Sequence, residues 1–600
     1  MIELLQRFKQ HKLREVKSSY IPTSWLFFDS ETKEKIVDGE AVQMFHLGWT
    51  CYWRRYPNGR KDVQQWKYWN SETKLCQYFH TLVMGAGQVN ILGHNIFFDL
   101  QACGFFLYFN RMGWMLDFIY DKGLTYILRC KRDKRIFTAL STTNWFDQSL
   151  KDLGQLVGLR KLEANFLTIT DKDLGIYCRR DVEILVKAMK YYLAFIAARD
   201  LGKFCMTKSS QAYTAYRHRF MSHKIILHDE PSVTCLERKA YFGGRTECFQ
   251  LGQISGGPFI TLDINSNYSF VSQSNQYPWK LVEFNRHMEV DYLKYILKTH
   301  CVIAEVTVDT PEPVFAVRYN KKTVFPIGRF KCTLCTTGLK YALEHEYIKD
   351  ISSMAVYRKA DLFSGYVDYF HPLLKKYEKE DNKIMRKLCK YYENSLYGKF
   401  AQKSIIRDEY EETTGRDYFK EDTIVLATGE LITELKLLNK IVIIHDQEEN
   451  PDSFPGLAAH ITENARFLLW DIIKEIGRDR VLYCDTDSVK IRESDLGRLK
   501  RSVNATELGA LKIEDRSEQL YIGGSKYYIT EKGRHIKGIP LSAKEVEPGV
   551  YEYLVFRSQD KHLRKGMIKG VEIITARRHV ETAYDKGVVG EDGHITPFVF

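Results

Sequence analysis

The stretch VLYCDTDSVKI, residues 481–491, sets two aspartates, Asp485 and Asp487, one residue apart between apolar runs. The flanks read as short strands joined by a tight turn, and alternation puts both carboxylates on one side of the hairpin tip. A turn rich in Asp and Thr is the plain reading, because Asp is a common turn former. It leaves the strongly apolar flanks unexplained. Two close carboxylates that both stay ionised need a cation, and a hard divalent ion with oxygen ligands, such as Mg²⁺, suits them. One such pair is weak, so the fold has to bring a third carboxylate to this tip from elsewhere in the chain.

At 600 residues the chain is too long for one hydrophobic core, and several domains are expected. With 44% apolar and 13% aromatic residues, a disordered chain is excluded. The net charge of +12 suits a polyanionic partner, nucleic acid first. Thirteen cysteines are scattered without framework spacing, as in a reducing compartment. Cys332 and Cys335 form the one CxxC, with no second pair to complete a zinc site. No apolar run reaches the ~18 residues of a membrane span. The N-terminal MIELLQRFKQHKLREVK is amphipathic and basic, lacks a signal core, and carries Glu3 and Glu15, which argue against an organelle transit peptide. The expectation is a soluble intracellular protein, cytoplasmic or at another site of genome replication.

A second acid cluster lies near the N-terminus. In SWLFFDSETKE, Asp29 and Glu31 close an apolar strand and share a face. In NILGHNIFFDLQA, Asp99 follows another apolar run, with Asn95 one helical turn earlier. In DLGIYCRRDVEIL, Tyr177 and Asp181 stand at i and i+4 on a helix, so phenol and carboxylate are neighbours. Each fragment alone reads as a solvated strand or helix end. Together, four acids and a tyrosine suit two-metal hydrolysis of a phosphodiester, in which carboxylates hold ions ~3.5–4 Å apart and a further group orients the attacking water.

The partner for the hairpin appears in FITLDINSNYSF, where Asp263 ends an apolar strand and Tyr268 follows five residues on. Between these segments, DNKIMRKLCKYYENSLYGKF reads as a helix with Lys383, Arg386, Lys390, Asn394 and Tyr397 on one face. The stripe passes from cations suited to phosphates to an amide and an aromatic ring suited to sugar and base. A solvated basic face is the plain alternative.

In this order the motifs resemble those of family B DNA polymerases. DxE, NxxFD and YxxxD are similar to the three proofreading exonuclease motifs, and DINSNY, KYYENSLYG and YCDTDS to motifs A, B and C. The resemblance implies that Asp29, Glu31, Asp99 and Asp181 hold metal and that Tyr177 orients water. It implies that Asp263 and Asp487 hold two catalytic ions, with Asp485 as an accessory acid. Each site would take two Mg²⁺ ions, with Mn²⁺ as a substitute. Lys390 would contact the incoming dNTP, in the company of Lys383, Arg386, Asn394 and Tyr397, and Tyr268 would exclude ribonucleotides. Motif A departs from the common SLYP form, with Asn267 for Leu and Ser269 for Pro. Three shorter matches imply DNA contacts. Ser149 and Leu150 of DQSLKDLG, with Asn95, would hold a single-stranded primer end. Tyr241, Gly243 and Gly244 of KAYFGGRTECF resemble a YxGG segment. Lys526 and Tyr528 of GGSKYYITEKG resemble the KxY segment that grips the primer. LRCKRDKRIF (128–137) and KHLRKGMIKG (561–570) are further basic candidates, and no segment reads as a sequence-specific DNA reader.

The implied fold is multidomain α/β and α+β: an RNase H-like 3′-5′ exonuclease domain, then a right-hand polymerase of palm, fingers and thumb with two inserted subdomains. The expected parts are exonuclease 1–195, a connecting region 196–262, palm 263–302, palm with the first insertion 303–370, fingers 371–401, the second insertion 402–455 with its acidic runs RDEYEE and DQEENPD, palm 456–530 and thumb 531–600. Long gaps between motifs are similar to protein-primed polymerases of linear phage genomes, linear plasmids and adenoviruses. That branch implies template and primer DNA, dNTPs and a terminal protein as partners, no membrane, and a monomer or a heterodimer with the terminal protein. Two alternatives stay open: a family B polymerase using a nucleic-acid primer or none, and a DNA-binding protein or nuclease with an inactive polymerase domain.

Overall fold

The computed structural model describes residues 8–37, 39–57, 59–410, 417–581 and 583–600. Glu3 of the N-terminal stretch and Glu411 and Glu412 of the RDEYEE run lie outside them.

The N-terminal region is built on the strand Ser24–Val37, which runs parallel to Gln88–Gly93 and antiparallel to Glu40–Arg54. Trp25, Leu26, Phe27 and Phe28 are all fully buried, as a strand covered on both faces requires. Period-2 alternation sorts them. Trp25 and Phe27 pack with Ile184 and Leu185 of the helix Asp171–Ala198, and Leu26 and Phe28 with Phe79 and Val83 of the helix Glu72–Ala86. The same parity assigns Asp29 and Glu31 to the side of the long helix and Ser30 to the side of the helix Ile96–Ala102. The long helix starts where Thr170 caps it, accepting from the Asp173 backbone N–H.

The region expected to be the palm holds an antiparallel five-stranded sheet in the order Thr246–Cys248, Val481–Asp485, Ser488–Arg492, Phe259–Ile264, Leu511–Ser517. The helix Pro455–Ile476 covers it, with Leu469, Ile472 and Ile473 in one core with Ile260, Leu262 and Val489. Sequence-distant strands thus pair side by side, which is how Asp263 reaches the hairpin.

Several expected boundaries move. The sheet between motifs A and B has the order Tyr277–Arg286, Ile348–Ala360, His300–Thr310, Gly328–Leu334, so a start at 303 cuts through a strand. The break at 371 falls inside the helix Ser364–Lys379, which packs against Lys383–Ser395, and the one at 263 falls inside Phe259–Ile264. Lys403–Tyr410, Phe419–Val425, Glu430–Leu437 and Lys440–Glu449 make a four-stranded sheet of their own. The C-terminal region is not one compact thumb. Gly533–Ile536 pairs with Tyr527–Thr530, whereas Val550–Phe556 and Val571–His579 extend the N-terminal sheet through Val42 and Gln43 opposite Glu572 and Val571. Three of the four Lys and Arg cations of 561–570 are correspondingly engaged within the chain: Arg564 pairs with Asp422 and Asp560, Lys565 with Glu40 and Glu572, and Lys569 with Glu72. The basic run at 128–137 is a β-hairpin turning at Asp133, with Arg129 paired to Asp117. Among the described residues, no helix is long and apolar enough to cross a membrane.

Candidate active sites

The N-terminal acids converge as their parity demands. Ligating atoms of Asp29, Glu31 and Cys178 lie within 4.8 Å of one another. Asp99 joins them from the helix Ile96–Ala102, its Oδ1 accepting from Ser30 Oγ at 2.7 Å and the Ser30 N–H at 3.0 Å. Asp181 is 2% exposed, and its Oδ1 has no hydrogen-bond partner among the described residues. Its Oδ2 forms an ion pair with Lys161, whose Nζ also lies 4.4 Å from the centre of the Tyr177 ring.

The electrostatics express the crowding. Burial, then repulsion from Asp99, Asp181 and Glu31, holds Asp29 well above the carboxylate range. Burial, then Asp181, pushes Glu31 up to about 8. Burial pushes Asp99 up to about 7 against the Ser30 hydrogen bonds that pull it down. Asp181 is raised by burial, with Lys161 opposing. Burial works against the Lys161 ammonium, but Asp181 outweighs it and the ammonium is held more firmly than in water. Burial also raises the Cys178 thiol. Three of the four crowded carboxylates, Asp29, Glu31 and Asp181, share the Lys161 ammonium, and one Asp181 oxygen is buried without a partner among the described residues; such a donor set fits divalent cations.

Beside this cluster runs a groove of about 450 Å³ lined by His94, Asn95, Phe98, Ser149 and Phe556. Asn95 sits at the start of its helix at φ 65°, outside it, with its N–H held by Ser141 Oγ. Ser149 lines the groove but also caps its own helix through the Asp152 N–H. Leu150 is corrected: its side chain is buried in the core with Leu153 and Ile184, so it supports the groove wall and is not free to meet a strand. Burial, then Lys161, lowers His94 to about 4, which keeps its ring neutral near neutral pH.

In the palm, Asp263 pairs in register with Ser488, and the Ile264 N–H donates to Asp487 O at 2.7 Å. Strand alternation does not account for Asp487. Asp485 pairs with Ser488, so Thr486 and Asp487 form a two-residue turn with Thr486 at φ 63°, and the turn delivers Asp487 to Asp263. Burial, then Asp263, then Asp485, pushes Asp487 up to about 7. Asp485 is engaged otherwise: Thr246 Oγ1 and Thr486 Oγ1 donate to it at 3.0 Å, and Lys526 Nζ stands 3.1 Å away. Lys512 Nζ is 2.8 Å from Asp263.

Gly244 is the site of a close approach, though to protein. A Cβ there would meet Thr486 Cγ2 at 2.7 Å, and the Thr486 N–H donates to Arg245 O at 2.7 Å. The YxGG-like segment therefore braces the hairpin turn. Gly243 has open space at that position, while its carbonyl and that of Tyr241 accept from Arg466 and Arg318. Tyr528 stacks on His535 at 4.7 Å, with Lys490 Nζ 4.5 Å from the ring centre.

Lys390, Asn394 and Tyr397 line a cavity of about 400 Å³ together with Lys208 and Lys387. Tyr268 stacks on Tyr397 at 4.4 Å. Arg386 is directed to Glu378, with which it pairs at 3.0 Å, and Lys383 opens the helix about 10 Å along the axis from Lys390, so neither lines the cavity. The odd residues of motif A lie inward of Tyr268: the Asn267 amide and Ser269 hydroxyl are buried without hydrogen-bond partners among the described residues. Cys332 and Cys335 are buried, with no cluster of metal-ligating groups around them among the described residues. Sequence reading missed Lys161, Cys178, Thr246, Lys387 and Lys512. Lys387 shares the helix of Lys390 and was within reach of periodicity; Lys161 lies in an irregular loop that no spacing marks.

The family model for organellar and viral type B DNA polymerases matches residues 165–475, just over half of the chain. The chain belongs to that family. Among its relatives, a probable DNA polymerase of Ascobolus immersus is 24% identical over 385 residues, covering 60% of this chain and 30% of that protein. The DNA polymerase of Kluyveromyces lactis is 30% identical over 230 residues, covering 33% and 21%, and the DNA-directed DNA polymerase of Enterobacteria phage PRD1 is 25% identical over 322 residues, covering 52% and 53%. The chain thus spans between 21% and 53% of the length of these relatives. Phi29 DNA polymerase complexed with primer-template DNA and incoming nucleotide superimposes with a TM-score of 0.66 over 93% of this chain and 100% of that one, at 15% identity. The type B chain has the Phi29 polymerase fold.

Proposed function

We propose that this chain is a DNA-directed DNA polymerase with a 3′-5′ proofreading exonuclease, and that it copies a linear DNA by protein priming with strand displacement. The observation that carries the reading is the pair of separate acid clusters, each beside a cavity of matching chemistry: a groove for a single strand at one, a basic cradle at the other. In the palm, Asp263 and Asp487 would hold Mg²⁺, which when bound activates the primer 3′-oxygen and steadies the leaving pyrophosphate. Lys387 and Lys390 bind the triphosphate, and the stacked pair Tyr268 and Tyr397 forms the floor on which the sugar rests. In the N-terminal domain, Asp29, Glu31, Asp99 and Asp181 would hold the hydrolytic ions. Lys161 fixes Asp181 and the Tyr177 ring, so that the phenol can orient water.

Protein priming is supported by the two extra sheets, Tyr277–Ala360 and Lys403–Glu449, in positions similar to the terminal-protein and processivity insertions of the protein-primed branch. A terminal protein would be the partner, at the intracellular site where the DNA is copied.

Replacing Tyr268 with Val is expected to raise ribonucleotide incorporation at least about tenfold, since a smaller side chain no longer crowds a 2′-hydroxyl. Measuring rNTP against dNTP insertion decides it, and unchanged discrimination removes the assigned role. The whole proposal is tested by extension of a primed single-stranded circle with Mg²⁺ and dNTPs. Products longer than one circle, absent with Asp487→Asn, are expected. Products that stop at one circle overturn strand displacement, and none at all overturns the polymerase reading.

A further inference from the structure

One group at the N-terminal acid cluster has no part in that hydrolytic scheme. Cys178 follows Tyr177 on the long helix and faces inward, its thiol donating to the Asp29 carbonyl at 3.3 Å. Its Sγ lies within 4.8 Å of ligating oxygens of both Asp29 and Glu31. Asp181, three residues on and therefore on the same helix face, supplies the buried carboxylate oxygen without a partner. A hard-cation site has no need of sulfur: Mg²⁺ selects oxygen, while thiolate selects Zn²⁺ and its softer congeners. By contrast, the side chains that contact Asp485 and Asp263 in the C-terminal cluster are hydroxyls and ammoniums, and among the described residues no thiol groups with those acids as Cys178 does with Asp29 and Glu31.

We propose that Asp29, Glu31 and Cys178 form a site for a thiophilic divalent cation, Zn²⁺ or Cd²⁺, that competes with the hard ions at the N-terminal cluster and leaves the palm cluster free. Bonds of ~2.0–2.3 Å in a tetrahedral site put neighbouring ligand atoms ~3.3–3.8 Å apart, and since the three atoms already lie within 4.8 Å of one another, side-chain shifts of at most ~1.5 Å complete it. Binding exchanges the thiol proton for the metal: Cys–SH and M²⁺ give Cys–S–M⁺ and one proton released to solvent, with no change of oxidation state. The Asp181 oxygen or a water fills the fourth position. This ion would arrest 3′-5′ degradation while synthesis continues.

The test uses the full chain stripped with EDTA and titrated with Cd²⁺, reading the sulfur-to-metal charge-transfer band in the ultraviolet and the stoichiometry by equilibrium dialysis. The parent is expected to bind one Cd²⁺ with a thiolate band. Cys178→Ala should abolish that band and weaken the site at least about tenfold, with Mn²⁺ affinity within about twofold of the parent. Cys235→Ser, which removes an exposed thiol, should leave both readouts unchanged. A parent without the band, or a band that survives in Cys178→Ala or disappears in Cys235→Ser, overturns the proposal. Should Cys178→Ala fail to fold, Cys178→Ser decides by the same readouts. Only the effect on degradation rests on the exonuclease reading: a Cd²⁺ site that depends on Cys178 in a chain that degrades no DNA would leave the metal site standing and remove the nuclease.

Discussion

An Asp29→Ala chain is expected to degrade single-stranded 3′ ends about 10³-fold more slowly than the parent, a loss equivalent to about 4 kcal/mol of transition-state stabilisation, while primer extension is unchanged. Asp29 is the most crowded member of its cluster, repelled at once by Asp99, Asp181 and Glu31. A cation bound there is the partner that relieves all three repulsions, so removing Asp29 removes the centre of the binding set. Polymerisation should survive because Asp263, Asp485 and Asp487 lie at a different sheet and pair with other cations, Lys512 and Lys526, where the N-terminal acids have Lys161. Following a 5′-labelled oligonucleotide for shortening and for extension in the same preparation separates the outcomes. Loss of both activities together sinks the two-site reading, and undiminished degradation removes Asp29 from the site.

What could be read in the sequence follows from how local each constraint is. Asp29 and Glu31 were legible because strand parity is a local property, and Tyr177 and Asp181 because four residues make one helical turn. Motif order then placed Asp263 opposite the hairpin. Parity failed at Asp487, since a two-residue turn breaks the alternation and a left-handed Thr486 redirects the chain. The resemblance implies a DNA contact at Gly244, yet the backbone this glycine admits is the hairpin itself, a contact across more than two hundred residues that no local pattern encodes. The thumb was misjudged for the same reason: Val571 and Glu572 pair with Gln43 and Val42, and an edge strand carries no mark of its distant partner. Lys161 is the sharpest omission. Its role is set by Asp181 and Tyr177 around it, and its own neighbours in sequence say nothing of them.

Replacing Asp487 with Asn should abolish DNA synthesis by a factor of about 10³ or more and at the same time make the metal-free protein more heat-stable at pH 8. The two effects share one cause. Burial, Asp263 and Asp485 hold Asp487 at about 7 in the folded chain, far above the ~3.9 of an unfolded aspartate. A carboxyl whose folded value is raised favours the fold below its unfolded value, and that contribution is lost as pH climbs from about 4 through about 7. At pH 8 the parent therefore carries an ionised, partly buried Asp487 against Asp263, and the neutral amide does not. The difference in melting temperature between variant and parent, measured in EDTA, should be positive at pH 8 and shrink towards zero near pH 4. Saturating Mg²⁺ should reverse its sign, because the parent gains a bound ion that the variant holds weakly. A variant no more stable than the parent at pH 8 would mean that Asp487 is solvated well enough to ionise freely. Hard-ion binding would then have to draw its strength from Asp263 and Asp485, and the Lys512 and Lys526 ammoniums now paired with them would have to give way first.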